Sequence, residues 1–228
     1  MTNFGVIQFP GSCDERDALA ACGRVGEARL VWHEETDLSD LDAVVVPGGF
    51  SYGDYLRAGA IARFAPAMAA VAELAADGVP VLGICNGFQV LCEAGLLPGA
   101  LLPNEGLRFV CRQVDVTVES DRAAFTTGLP RGERLSIPVK HACGRFFAPP
   151  ELLTELADRD QIALRYAPGH NPNGSVDDIA GVTNETGNVL GLMPHPEHAV
   201  DALTGSADAL RLFAAAAAAQ AAPARAAA

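Results

Sequence analysis

The sequence predicts an α/β fold: a doubly wound, mostly parallel sheet flanked by helices, with a mixed or antiparallel excursion in the second half. Three observations carry this. Short β-branched runs alternate with alanine- and leucine-rich helical stretches through the first half of the chain. Those runs are apolar nearly throughout, as strands covered on two faces must be. After about Leu107 the runs alternate apolar with polar residues, the pattern of antiparallel or mixed strands with one solvated face. With 228 residues the chain is long enough to bury a full core.

Taken in order, FGVIQF (Phe4 to Phe9) reads as a strand closed by the turn PGS. Asp14 to Val25 (DERDALAACGRV) reads as a helix with its acids at the front, where the helix dipole favours negative charge. ARLVWH and AVVVPGG are the next strands, and a long helical segment from about Gly59 to Ala76 leads into VPVLGIC. Repeated βαβ units of this kind wind right-handed. RQVDVTVES, ERLSIPVKHACGRFFA and IALRYA then extend the same sheet or pack beside it. NPNGS and NETGN are turn signals around DIAGVT. NVLGLM reads as a strand, and LFAAAAAA (Leu212 to Ala219) as a surface or end helix. The expectation is one domain over residues 1–220, followed by an alanine-rich tail, 221–228, that frays.

Composition removes several classes of function. A formal net charge of -12 repels a phosphate backbone, which argues against nucleic acid and anionic membranes as partners. The early apolar stretch is too short for a signal segment, and no apolar run reaches bilayer-spanning length, so a cytoplasmic protein is expected. The six cysteines include no C-x-x-C pair and read as reduced thiols, Cys92 and Cys111 as small buried hydrophobes. Histidines and cysteines lack metal-ligand spacing, so no metal is expected.

The chemistry centres on Gly83-Ile84-Cys85-Asn86-Gly87, between a strand and a helix. G-x-C-x-G is the thiol counterpart of the G-x-S-x-G nucleophile elbow: a tight turn strains the nucleophile and projects it above the sheet edge, and flanking side chains would collide. A helix N-terminus also favours thiolate over thiol. Cys85 is therefore the candidate nucleophile, against the commoner reading of a lone cysteine as a small core residue. MPHPEH offers the base, His195, and a carboxylate, Glu197, that would hold the imidazole in the useful tautomer. Alone, this is also what a proline-rich surface turn looks like. In PGGF, Gly48 and Gly49 follow a strand and let backbone N–H groups face a developing oxyanion, with Phe50 beside them and the Asn86 N–H as second donor. An ordinary strand-ending turn has the same appearance.

Together, PGGFSYGDYLRAGAIA, GICNGFQVLCEAGLLPGALLPN, NPNGSVDDIAGVTNETGNVLGLMPHPEHA and FPGSCDERDA resemble the class I glutamine amidotransferases, and within them the glutaminase subunits (subunit I) of phosphoribosylformylglycinamidine synthase. The resemblance runs from about Val6 to Ala199. It implies a flavodoxin-like amidotransferase fold, with the family's nucleophile on Cys85, its histidine on His195 and its glutamate on Glu197. It implies hydrolysis of L-glutamine through a thioester, and passage of ammonia to a larger synthetase subunit that converts formylglycinamide ribonucleotide to the amidine, with a small third subunit as a further partner. This chain has no Walker loop and no G-x-G-x-x-G, so it is expected to hold no cofactor, with ATP and magnesium on the synthetase. Gln89 resembles the glutamine of a family G-x-C-x-G-x-Q motif, contacting substrate or the oxyanion loop; as a helix residue it could equally face solvent. The chain departs from the family in having Cys143 where an acidic residue is usual and His198 where arginine is usual. His141 reads as a structural or substrate-loop residue. Two other readings stay open: a stand-alone thiol hydrolase or peptidase, which would need no partner, and a catalytically silent scaffolding subunit, against which the intact triad argues.

Overall fold

In a computed structural model, which describes residues 1–221, nine strands form one mixed sheet in the order β2-β1-β3-β4-β11-β10-β9-β6-β7. These are β1 (Asn3–Gln8), β2 (Glu27–Trp32), β3 (Ala43–Val46), β4 (Val81–Ile84), β6 (Val110–Val118), β7 (Arg134–His141), β9 (Ile162–Tyr166), β10 (Ile179–Thr183) and β11 (Val189–Leu192). The block from β2 to β11 is parallel at every pairing, and the block from β11 to β7 is antiparallel. The residues explain the division. β3, β4 and β11 are buried at every position, as strands covered on both faces are. In β6 and β7, Val114, Val116, Val118, Leu135, Ile137 and Val139 point into the core, while the residues between them reach solvent.

The helices are α1 (Glu15–Cys22), α2 (Pro66–Ala76), α3 (Asn86–Glu93), α4 (Pro150–Asp158) and α5 (Leu210–Ala221). One continuous apolar core joins the sheet to them, from Phe4 and Val31 to Phe213. Among the described residues no helix is long and apolar enough to cross a membrane. Residues 222–228, most of the expected tail, lie outside the described residues.

Several expectations change. The helix expected from Gly59 begins at Pro66, because proline lacks an N–H and fits the first helical position, while Ala65 before it is extended. Gly59 instead turns with φ +81°, where a Cβ would lie 2.8 Å from the Gln89 carbonyl carbon. The run ERLSIPVKHACGRFFA splits: β7 ends at His141, and β8 (Arg145–Phe147) leaves the main sheet to pair with β5 (Ala100–Leu102). Helix α4 was not anticipated, although Pro150 at its start and the spacing of Leu152, Leu153 and Leu156 signal it. Cys111 is exposed rather than buried, because it lies near the start of β6, where three successive residues face solvent. Cys92 packs against the core in part, and burial pushes its thiol pKa up.

Candidate active site

The site lies at the C-terminal ends of the parallel strands, the usual place for ligands in open α/β sheets. Cys85 directly follows β4 and caps α3 with φ 51° and ψ -101°, a left-handed conformation that costs a non-glycine residue roughly 1–3 kcal/mol. The glycines on either side have no room for side chains. A Cβ on Gly83 would lie 2.5 Å from Leu91, and one on Gly87 would overlap the Val46 carbonyl. Cys85 is 6% exposed and opens into a cleft that Asp14, Gly49, Gln89 and Lys140 also line.

His195, the expected base, comes to the same edge through strand pairing. β11 lies beside β4 in parallel register, Leu192 against Ile84, and the Cys85 N–H donates to the Leu192 carbonyl at 2.8 Å. The chain leaving β11 therefore runs past the elbow, and the His195 N–H donates to the Pro138 carbonyl at 2.8 Å. Cys85 and His195 line the same cleft. His195 Nδ1 and Glu197 Oε1 are 2.6 Å apart, both side chains almost wholly buried. This leaves Nε2, which has no hydrogen-bond partner among the described residues, as the nitrogen free for the thiol. Burial disfavours a charged imidazole, but the Glu197 carboxylate and the Cys85 sulfur outweigh it and push the His195 pKa up.

The expected oxyanion elements lie on the same edge. Gly49 has φ +148°, and a Cβ there would sit 2.7 Å from the Cys13 nitrogen. The Phe50 N–H donates to the Gly11 carbonyl at 2.9 Å, which fixes the loop while the half-exposed ring forms part of the cleft wall. Asn86 occupies the first position of α3, where a backbone N–H has no intrahelical acceptor. Its side-chain oxygen accepts from the Ser51 N–H at 3.0 Å and from the Ser51 hydroxyl. Its amide donates to Asp54 Oδ1 at 3.0 Å and to Gln89 Oε1 at 2.8 Å. Gln89 is buried, not solvent-facing, and donates to the Cys143 carbonyl. The loop after β3 and the turn after β7 are thus both tied to the first turn of α3.

Sequence reasoning missed Asp14 and Lys140. Asp14 Oδ1 accepts from Lys140 Nζ and lies 3.1 Å from His198 Nε2, while Oδ2 is 3.7 Å from His195 Nδ1. Burial alone would raise the Asp14 pKa, but hydrogen bonds from His198 and Lys140 hold it well below the usual carboxylate range. One signal was available: Lys140 is the only lysine, against fifteen arginines. His141 is buried in the cleft wall; its Nε2 accepts from the Asn173 amide at 2.9 Å, and burial, with the His195 charge, lowers its pKa to about 4. Atoms of Asp14, His195, Glu197 and His198 lie within 4.8 Å of one another, a grouping no sequence spacing announces. The Lys140 ammonium, bonded to Asp14 and 2.9 Å from His198 Nε2, supplies a cation at this cluster.

Comparison with known proteins follows this geometry. The profile of a CobB/CobQ-like glutamine amidotransferase domain matches residues 2–216. The chain is 57% identical over 211 residues to the phosphoribosylformylglycinamidine synthase subunit PurQ of Frankia casuarinae, spanning 92% of this chain and 90% of that protein. It is 58% identical to the subunit of the same name from Nocardia farcinica, over 92% and 93%. A chain in the structure of PurLQS from Thermotoga maritima superposes with a TM-score of 0.87 at 41% identity, over 95% of this chain and 98% of that one. A glutamine amidotransferase from the same organism, 18% identical with a TM-score of 0.57 over 87% and 77%, shares the fold.

Proposed function

Because the chain belongs to the CobB/CobQ-like glutamine amidotransferase family, we propose that it is the glutaminase subunit of phosphoribosylformylglycinamidine synthase, hydrolysing L-glutamine in the cytoplasm and delivering ammonia to a larger synthetase subunit. Residues 1–220 act as one amidotransferase domain. The synthetase, joined by a small third subunit, uses ATP and magnesium in purine biosynthesis.

Cys85, His195 and Glu197 are the catalytic triad. The Cys85 thiol gives its proton to His195 Nε2, and the sulfur attacks the side-chain amide carbon of glutamine. Backbone N–H groups of Gly49 and Asn86 hold the tetrahedral oxyanion, each such donor contributing about 2.7–4 kcal/mol. His195 returns the proton to the departing nitrogen, which leaves as ammonia, and a γ-glutamyl thioester remains. Water, deprotonated by His195, adds to the thioester; glutamate leaves and the thiol is restored. Glu197 holds the imidazole's other nitrogen throughout. Gly48 makes room for the ring, since a Cβ there would lie 2.7 Å from His195 Cε1. Phe50 and Gln89 border the substrate space.

The observation that supports this reading most is the parallel pairing of β4 with β11, which brings Cys85 and His195 to neighbouring strand ends, as a nucleophile and its base require. It is tested by measuring glutamate release from glutamine with and without the synthetase subunit. The wild-type chain is expected to be weak alone and activated in the complex, and Cys85→Ala inactive in both. Brisk peptide hydrolysis without a partner, with glutamine ignored, would replace this reading with that of a stand-alone thiol hydrolase.

A further inference from the structure

We propose that Asp14 is a second positioning carboxylate for His195, held against the imidazole by Lys140 and His198, and that it stabilises the charged form of the base that Glu197 orients. The inference rests on the glutaminase reading and adds residues to it.

Glu197 Oε1 already takes the hydrogen bond at His195 Nδ1, at 2.6 Å. Asp14 Oδ2, 3.7 Å from the same nitrogen, is too far to share that bond but close enough to act on its charge. Both carboxylates are buried, where screening by water is weak and a charge at this distance counts for more than on the surface. A buried carboxylate would ordinarily take up a proton. Lys140 and His198 prevent this at Asp14 by bonding its other oxygen, so Oδ2 stays charged and faces the ring. Gly48 permits the approach, for a Cβ there would lie 2.5 Å from Asp14 Oδ2 and 2.7 Å from His195 Cε1 at once. The choice of cation fits the same reading. A chain that uses arginine at every other basic position places its one lysine here. An ammonium is a compact charge that can contact Asp14 and His198 together, where a guanidinium fork would need a flat, wider space.

The labour is thereby divided between two carboxylates. Glu197 fixes the tautomer, leaving Nε2 to exchange the proton with Cys85 and then with the departing ammonia. Asp14 adds negative charge that keeps that proton on the imidazole until the leaving nitrogen needs it. The groups facing His195 are Glu197, Asp14, Cys85 and His141, with His198 at a ring separation of 5.7 Å and Lys140 acting through Asp14. Among these, Asp14 is the carboxylate that the triad reading leaves without a task, and Lys140 is the cation bonded to it.

The test is the pH profile of Asp14→Asn, which removes the charge and keeps the shape. In the complex with the synthetase subunit, kcat is expected to fall about tenfold with KM within about twofold, and the alkaline limb to move down by about one pH unit, one unit being a tenfold change in proton affinity. The sign follows from the charge: without Asp14 the imidazolium loses a stabilising neighbour and deprotonates at lower pH. Asp14→Glu, which restores the charge, returns the limb toward its wild-type position. Asp14→Ser gives the same reading as the amide should Asp14→Asn not fold. An NMR titration of the His195 ring in the chain without glutamine follows the same imidazolium proton directly, so a failure of the glutaminase reading is seen separately. A limb that stays in place while kcat falls would make Asp14 a purely structural residue, and unchanged kinetics would remove it from the site.

Discussion

Cys85 is strained and His195 is buried next to a carboxylate, and each accepts an unfavourable state that its neighbours hold in place. The elbow persists because Gly83 and Gly87 leave β3 and α3 packed around it. The imidazole persists in one orientation because Glu197 accepts at Nδ1. Replacing Glu197 by glutamine removes that charge and allows the ring to bind through the other tautomer. Glu197→Gln is expected to unfold within a few degrees of the wild-type chain yet lose about a hundredfold or more in glutamate release. Thermal unfolding and steady-state kinetics of the same preparation check this, and unchanged kinetics would show that this carboxylate does not orient the base. At this scale the sequence was informative where chemistry is local: the G-x-C-x-G and H-P-E stretches single out Cys85, His195 and Glu197, which the fold brings to one edge of the sheet. It was silent on Asp14 and Lys140, because an acid at a helix start and a lysine in a strand acquire their role only when distant segments converge.

Among the elements, β7 serves two purposes: it closes the sheet edge with β6, and its end delivers Lys140 and His141 to the cleft. His141 is buried and accepts from Asn173, a geometry suited to the neutral ring. Its pKa falls from 6.5 to about 4 on folding, so the unfolded chain binds the proton more tightly. The stability this neutral ring supports is present above about pH 6.5 and is lost as pH falls toward 4, amounting to about 3 kcal/mol at the acid end. His141→Gln, which keeps an acceptor for Asn173 and cannot take up a proton, is expected to lose that part of the acid sensitivity. Urea unfolding of both proteins at pH 7 and pH 4.5 measures it, and equal acid losses would contradict it. The elements that resisted sequence reading are short or lack punctuation. ERLSIPVKHACGRFFA reads as one run because only Gly144 marks the bend between β7 and β8. The start of α2 was legible in Pro66, whose missing N–H outweighs the helical composition before it.

Across the molecule, the parallel block does the assembling. β1, β3, β4 and β11 end on one edge, and the segments leaving them carry Asp14, Gly49, Cys85 and His195. Residues from both ends of the chain meet there because the strand order places β11 beside β4. The alternation of apolar runs and helices made this architecture legible, and the switch to alternating runs after Leu107 announced the antiparallel block. Strand order was not legible, since pairing depends on which faces meet and not on any local pattern. The central claim is that this edge makes one sulfur out of six into a nucleophile for glutamine. Treating the chain with a diazoketone analogue of glutamine, then mapping the adduct by mass spectrometry, tests it directly. The adduct is expected on Cys85, one per chain, and suppressed by excess glutamine. Labelling spread over Cys13, Cys111 and Cys143 with Cys85 unmodified would contradict the account.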